Sequence, residues 1–231
     1  MCNSACIQFI EKNLSRSETE GKRALEVGSL NVNGSAREAV LPLSPLSYIG
    51  VDISAGPGVD EVCDVTGLTG RFGPGSFDLV LSTELIEHVR DWRAAVSNLK
   101  SVLKPGGVLL ITTRSAGYPY HGYPHDFWRY EDDDMRSIFA DMSILALATD
   151  PLVPGIFIKA VKPQNYSEKD LSGLELYSVV SGRHQREITG RALAAFKFKR
   201  GLRSAASAIL PDGLKRLLKR MFASAGEMKG K

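Results

Sequence analysis

The stretch from Phe77 to Thr113 constrains the fold more than any other part of the chain. Two short runs, 77–82 and 108–113, have the length and the apolar content of buried β-strands. Between them, apolar residues recur along 84–103 at the alternating spacing of one α-helical face. These positions are Leu85, Val89, Trp92, Val96, Leu99 and Leu103. The order strand, helix, strand predicts a βαβ unit with two parallel strands.

Further segments of both kinds flank this unit. Strands are predicted over 24–28, 46–53, 61–65, 144–148 and 156–161, and helices from Ser4 as cap to Leu14 and over 131–139. The sequence therefore predicts an α/β fold, a doubly wound, mostly parallel seven-stranded sheet closed by a terminal hairpin. Between Asp52 and Asp64 there is no room for a crossover helix. Either the third strand is very short or a loop replaces that helix.

The charge is unevenly distributed and sets the carboxyl end apart. Residues 183–231 contain 13 Lys and Arg against three acidic residues, a net charge of +10, whereas 1–182 carry −7. We therefore predict three parts: an N-terminal helix (1–21), an α/β domain (22–162), and a polar linker with a basic helical tail (163–231).

Within the tail, residues 195–222 are predicted to form a basic amphipathic appendage. One face carries Leu214, Leu217, Leu218, Met221 and Phe222, and the other carries Lys215, Arg216, Lys219 and Arg220. The apolar face can be buried against its own domain, against a second copy in a homodimer, or on an anionic membrane surface. Nucleic acid is disfavoured as a partner, because the tail lacks interleaved exposed aromatic residues.

Composition excludes several classes of protein. The chain of 231 residues is 43% hydrophobic and 24% charged, which is ordinary for a globular protein and unlike a disordered one. No apolar run approaches the ~20 residues of a membrane helix, and the amino terminus lacks the pattern of a secretory signal. Three cysteines do not make a disulfide framework, and Cys2 and Cys6 lack a second Cys/His pair. We expect a cytoplasmic protein without a metal site.

Polar side chains mark the ends of four predicted strands. Glu26 and Gly28 end the first strand, Asp52 the second, Asp64 the third and Ser82 the fourth. Because ligands of open α/β sheets bind outside the carboxyl ends of the strands, these residues predict a nucleotide-like ligand at that edge. A dinucleotide cofactor is disfavoured, since Leu30 and Val32 stand where the GxGxxG fingerprint requires small residues.

The segment FDLVLSTELIEHVRDWRAAVSNLKSVLKPGGVLLITT resembles the core of class I S-adenosylmethionine-dependent methyltransferases, in particular the small methyltransferase-domain (type 11) group. The shared features are an acidic residue at the strand start, a Glu-His pair before the helix, and a Leu-Lys-Pro-Gly-Gly turn. Here they are Asp78, Glu87-His88 and 103–107. The resemblance covers residues 22–162 and implies a Rossmann-like fold, S-adenosyl-L-methionine as cofactor and methyl transfer.

The resemblance also implies the cofactor contacts. Glu26 and Gly28 would contact the methionine part, Asp52 the ribose and Asp64 the adenine, and Ser82 would line the methyl-donor cleft. The glycine turn departs from the E-x-G-x-G-x-G pattern of the group, because this chain has EVGSLNVNG. After a two-residue insertion, Gly34 takes the place of the last glycine.

An aromatic and titratable segment follows the fifth strand, where related methyltransferases cover the acceptor. It contains Tyr118, Tyr120, His121, Tyr123, His125, Asp126, Trp128, Arg129 and Tyr130. His121 or His125 is the candidate base toward an acceptor hydroxyl. The candidate substrate contacts are Tyr118, Tyr120, Tyr123, Trp128 and Arg129, although Arg129 and Asp126 are also expected to pair and fix the loop. His88 is interpreted as structural, and the acidic triple 132–134 as a solvated helix start.

We therefore predict a methyltransferase that acts on an oxygen of a small molecule or saccharide. Two alternatives remain open. One is RNA or protein methylation that uses the basic tail to hold an acidic polymer. The other is a non-catalytic cofactor-binding or membrane-associated module, which would not need the His/Tyr/Trp-rich loop.

Overall fold

The computed structural model describes residues 3–122 and 124–209, with side chains as far as residue 202. One compact unit ends at Ile188, and a second begins at Thr189. The first contains the sheets and six helices. In the second, helix α7 (Gly190–Ile209) is described, whereas most of the predicted tail 195–222, including Leu214 to Phe222, lies outside the described residues. No described helix has the length and apolar character needed to cross a bilayer.

The main sheet has seven strands in the order β3-β2-β1-β4-β5-β8-β7, which agrees with the predicted fold. Its strands are β1 (Arg23–Val27), β2 (Ser47–Asp52), β3 (Glu61–Val62), β4 (Phe77–Thr83), β5 (Leu103–Arg114), β7 (Ser143–Thr149) and β8 (Gly155–Val161). Strands β1 to β5 are parallel, and β8 runs antiparallel between β5 and β7. The order reverses between β1 and β4, which is where sheets of this kind bind ligands.

Six helices flank the sheet. They are α1 (Ser4–Asn13), α2 (Arg16–Thr19), α3 (Ala36–Val40), α4 (Leu68–Phe72), α5 (Trp92–Val102) and α6 (Asp132–Ile138). All of them except α2 bury apolar side chains. In α1, Cys6, Phe9 and Ile10 pack into the core, and the rings of Phe9 and Phe157 are 5.3 Å apart. The predicted cap Ser4 is wrong by one residue, because the Asn3 side chain accepts the bond from the Cys6 N–H.

The helix predicted from Glu84 begins instead at Trp92. Glu84 has a positive φ of 54°, which turns the chain out of β4 into a single 3₁₀ turn at Ile86–His88. Asp91 then caps α5 by accepting a bond from the Ala94 N–H. Leu85 matches the helical spacing but lies before the helix, since the tertiary turn overrides the sequence pattern here.

The connection between β2 and β3 is short for both of the reasons considered from the sequence, a very short third strand and a loop in place of a helix. Strand β3 has two residues, and a loop over 53–60 replaces the crossover helix. The loop lies tightly on the end of β2, where Asp60 Oδ2 accepts a 2.6 Å bond from the Gly50 N–H. A Cβ on Gly50 would lie 2.4 Å from the Gly58 carbonyl oxygen, so glycine is required for this approach.

A second, three-stranded sheet joins the loop after β5 to a later part of the chain. It pairs β6 (Trp128–Arg129) with β9 (Leu176–Ser178), and β9 with β10 (Arg183–Gln185). Arg93 of α5 holds the same region by donating to the carbonyls of Leu171, Leu174 and Arg186. The first unit thus extends to Ile188, whereas the sequence-based division places a boundary after residue 162.

Candidate active site

The carboxyl ends of β1, β2 and β4 lie side by side at the reversal of strand order. Val27 is the register partner of both Val51 and Ser82, so the residues after these positions share one edge. Gly28 follows with φ 85°, and a Cβ there would lie 3.1 Å from the Leu85 Cβ. The backbone therefore turns at this edge in a conformation that glycine adopts most easily.

Asp52 is half-buried at the end of β2, and its carboxylate is positioned by backbone groups. Oδ2 accepts from the Leu30 N–H at 3.3 Å, and Oδ1 accepts from the Ser54 N–H at 3.0 Å. Each oxygen has a second lone pair, so the carboxylate can still accept two hydroxyl groups. A ribose presents two such hydroxyls, and Asp52 fits this ligand.

Glu26 is buried at the end of β1 and has two internal partners. The Tyr48 hydroxyl donates to Oε2 at 2.8 Å, and the Ala36 N–H donates to Oε1 at 3.3 Å. Burial raises the pKa of Glu26 to about 7, although both hydrogen bonds act in the opposite direction. Glu26 therefore joins β1 to β2 and α3.

The other predicted cofactor residues have different environments. Gly34 lies in the turn before α3, where its N–H donates to Asn31 Oδ1. Asp64 is exposed and caps a 3₁₀ turn through the Thr66 N–H and hydroxyl. Ser82 is fully buried, and its Oγ, like that of Ser29, has no hydrogen-bond partner among the described residues.

His121 is held by a carboxylate network in the loop after β5. Asp126 Oδ2 accepts from both the His121 N–H and Nδ1, each at 2.9 Å. Arg129 pairs with the same carboxylate at 2.6 and 2.7 Å, as the sequence led us to expect. Burial lowers the pKa of His121, but its contacts with Asp126 and Glu87 outweigh burial and raise the pKa to about 9.

The aromatic residues of the loop divide into supporting and partly exposed side chains. Trp128 is buried and donates through Nε1 to the carbonyls of Val89 and Arg90. Arg129 is buried as well, with its guanidinium donating to the carbonyls of Tyr118 and Pro119. These bonds favour a role in fixing the loop for both residues, and acceptor contact remains a prediction for them.

Tyr118 and Tyr120 are half-buried, and the Tyr118 ring lies edge-on to His121 at 4.8 Å between ring centres. The His125 ring lies 5.6 Å from that of Phe127. Tyr123 lies outside the described residues. Substrate contact by the two described tyrosines and a catalytic role for either histidine stay predictions.

The Glu-His pair of the 3₁₀ turn also faces this loop. Glu87 is fully buried, and its Oε2 accepts from the Thr113 hydroxyl at 2.8 Å. Burial would raise the pKa of Glu87, but the nearby imidazoles of His121 and His88 lower it to about 2. His88 donates from Nδ1 to the His125 carbonyl at 2.5 Å. One potential metal-ligand atom from each of Glu87, His88 and His121 lies within 4.8 Å of the others.

Sequence reasoning assigned no site role to Glu87, His88 or Thr113. The Glu-His pair itself was visible as a motif, but its approach to His121 joins positions more than thirty residues apart. Adjacent titratable residues directly after a buried strand are the signal that could have identified them.

Comparison with known proteins identifies the family and the fold. A sequence profile described as a methyltransferase domain matches residues 3–195 of the chain. The chain belongs to this methyltransferase-domain family. It has the Rossmann-like fold of class I S-adenosylmethionine-dependent methyltransferases.

Curated relatives match over short parts of their length. A ubiquinone biosynthesis O-methyltransferase of Methylococcus capsulatus is 28% identical over 124 residues, covering 48% of this chain and 50% of that protein. One of Xanthomonas campestris pv. campestris is 50% identical over 40 residues, 17% of each. A polyketide synthase of Burkholderia thailandensis is 32% identical over 69 residues, 28% of this chain and 3% of that protein. The chain spans half or less of the length of these relatives.

Solved structures share the fold at low identity. The 1,6-didemethyltoxoflavin-N1-methyltransferase of Burkholderia thailandensis superposes with a TM-score of 0.57 and 14% identity, over 70% of this chain and 80% of that one. An S-adenosylmethionine-dependent methyltransferase of Mesorhizobium loti gives a TM-score of 0.55 and 16% identity, over 69% and 99%. At these identities the similarities show the fold alone.

Proposed function

We propose that this methyltransferase transfers a methyl group to an oxygen of a small-molecule or saccharide acceptor. One observation carries the proposal: Glu87 Oε1 and His121 Nε2, both buried and 3.7 Å apart, have no hydrogen-bond partner among the described residues. A hydroxyl group donates and accepts hydrogen bonds, so it can satisfy a carboxylate oxygen and an imidazole nitrogen together. The names of the ubiquinone biosynthesis O-methyltransferases support an oxygen acceptor.

When bound, S-adenosylmethionine supplies an electrophilic methyl group, and the chain supplies its placement. We propose that the cofactor contacts are the residues at the ends of β1 to β4. They are Glu26, Gly28, Gly34, Asp52, Asp64 and Ser82. Asp52 would hold the ribose because its backbone partners fix the carboxylate before the ligand arrives.

The loop 115–130 would exclude water and orient the acceptor. Tyr118 offers a half-buried aromatic edge beside His121. His125, or His121 at a pH above its pKa of about 9, would receive the hydroxyl proton, a role that typically contributes 10²–10⁴-fold in rate. The basic segment 195–222 is proposed as a contact with a second copy or with an anionic membrane.

Calorimetry with S-adenosylhomocysteine tests the cofactor placement. Asp52→Ala removes two charge-assisted hydrogen bonds, for which we expect a loss of roughly 2–4 kcal/mol, or about 30–1,000-fold in affinity. Asp170→Ala is a matched control, because Asp170 also accepts from the N–H two residues later, at Ser172. Equal affinities of wild type and Asp52→Ala would reject this ribose site.

Acceptor chemistry is tested by following S-adenosylhomocysteine formation with a panel of phenols, saccharides, primary amines and total RNA. We expect turnover with hydroxyl compounds only. Turnover restricted to amines or RNA would overturn the proposed acceptor class.

A further inference from the structure

We propose that Glu87, His88 and His121 bind one divalent first-row transition-metal ion beside the acceptor. The ion would take the place of direct hydrogen bonds from the hydroxyl to Glu87 and His121, would leave a coordination position open for the acceptor oxygen, and would leave His125 as the base. This second part rests on the proposed function. The three residues come from the turn after β4 and from the loop after β5.

The three ligand atoms face one another without bonding directly. Glu87 Oε1 lies 3.7 Å from His121 Nε2 and 3.9 Å from His88 Nε2. These distances exceed the range of a hydrogen bond. An ion about 2.0–2.2 Å from each ligand sets the ligands about 3.0–3.5 Å apart, so the three atoms, which lie within 4.8 Å of one another, would close by up to about 1–2 Å on binding.

Hydrogen bonds on the far side of each ligand orient it inward. His121 Nδ1 bonds to Asp126, and His88 Nδ1 donates to the His125 carbonyl. In the neutral imidazole this leaves the lone pair on Nε2, which is the atom that faces Glu87 in both residues. Such carboxylate and carbonyl partners are typical of metal-bound histidines, because they fix the tautomer and the ring orientation.

The Glu87 carboxylate is likewise held by a hydrogen bond on one oxygen while its other oxygen faces the histidines. Glu87 Oε2 is occupied by the Thr113 hydroxyl at 2.8 Å, whereas Oε1 is buried and has no hydrogen-bond partner among the described residues. A buried carboxylate oxygen without a partner is costly, and an ion would satisfy it. His121 Nε2 is in the same situation.

The chemical nature of the three ligand atoms determines which class of ion the site prefers. Two imidazoles and one carboxylate suit Zn²⁺, Mn²⁺, Fe²⁺ or Co²⁺, whereas Mg²⁺ and Ca²⁺ prefer oxygen ligands alone. Three protein ligands leave at least one position for an exogenous oxygen, as catalytic metal sites do. The side chains of His88 and His121 are 12% and 14% exposed, although Glu87 Oε1 and His121 Nε2 themselves are buried.

Direct binding measurements test the site without an activity assay. We would treat the full chain with EDTA, remove the chelator and titrate it with Zn²⁺ and Mn²⁺ by calorimetry, expecting one ion per chain. Co²⁺ would report nitrogen and oxygen ligation through its visible absorption. Failure of the folded wild type to bind any of the three ions would overturn the proposal.

Variants identify the ligands. His121→Ala and Glu87→Gln should each weaken Zn²⁺ binding by more than about 100-fold, since loss of an outer partner alone costs about 10–100-fold. His184→Ala is the matched control, because His184 is exposed and contacts Tyr177 instead. Unchanged binding in both ligand variants would overturn the assignment.

Thr113→Val tests the ion site even if the ligand variants do not fold. It keeps the side-chain shape, removes only the hydroxyl that orients Glu87, and should weaken Zn²⁺ binding by about 10–100-fold. Wild-type affinity in this variant would count against the site.

Activity then separates the two parts of the proposal. Zn²⁺ binding together with turnover restricted to amines would leave the ion site standing and overturn the oxygen acceptor. Hydroxyl methylation at full rate after EDTA treatment would overturn the role of the ion at the acceptor.

Discussion

The buried carboxyl of Glu26 predicts a specific dependence of stability on pH. Its pKa in the folded protein is about 7, against a reference value of 4.5, and burial is the main cause. Between these two pH values the folded state retains a proton that the unfolded state has lost. The free energy of unfolding therefore falls as pH rises through this window and levels off above about pH 7. The difference in pKa corresponds to roughly 3 kcal/mol.

Glu26→Gln removes this titration while keeping the size of the side chain. We would measure urea unfolding of wild type and variant at pH 5, 6, 7 and 8. The stability of wild type relative to Glu26→Gln should fall by about 2.5 kcal/mol between pH 5 and pH 8. Glu38→Gln, at an exposed glutamate of helix α3, controls for the change in net charge. A difference between wild type and Glu26→Gln that does not vary with pH would refute the reasoning.

Three further predictions concern other parts of the chain. Gly50→Ala should lower the free energy of unfolding by about 1–3 kcal/mol in thermal or urea unfolding, because its Cβ would meet the Gly58 carbonyl. A variant as stable as wild type would contradict the close packing of the loop 53–60 on the end of β2. Lys100→Met should lower the free energy of unfolding by about 3–5 kcal/mol in urea unfolding, since it leaves the buried Asp141 carboxylate without its 2.7 Å partner. A much smaller loss would mean that water reaches Asp141. The full chain should co-float with anionic but not neutral liposomes at low salt if 195–222 contacts a membrane, and absence from the anionic fraction would leave self-association as the proposed role.

The sheet was predictable because its signals are local. Strands β1, β2, β4, β5 and β8 each contain a short apolar run, and Pro151 and Pro154 mark the turn of the terminal hairpin. The start of α5 was not predictable from spacing, because Leu85 and Val89 fit the helical period while Glu84 takes a positive φ. Strands of two or three residues, such as β6 and β9, exist only through their pairing.

Some features of the candidate site were predictable from the sequence, and others were not. Strand-end residues such as Asp52 follow from where buried runs stop, and the pairing of Asp126 with Arg129 follows from their nearness in sequence. The approach of Glu87 to His121 depends on a turn and a loop that only the folded sheet brings together. No metal site was expected from the sequence, because the chain lacks a second Cys/His pair to complete Cys2 and Cys6, and the place of His88 before a helix is typical of a structural residue.

The pairing of β6 with β9 has a consequence for how the protein is made. A ribosome releases the chain from the amino end, so the loop that contains His121 and Asp126 emerges about fifty residues before Leu176–Ser178. A nascent chain that has reached β8 contains every strand of the main sheet, yet β6 has no partner strand at that stage. We therefore expect the cofactor edge to form early in synthesis and the acceptor side to be completed late, after Arg93 has engaged the segment 171–186.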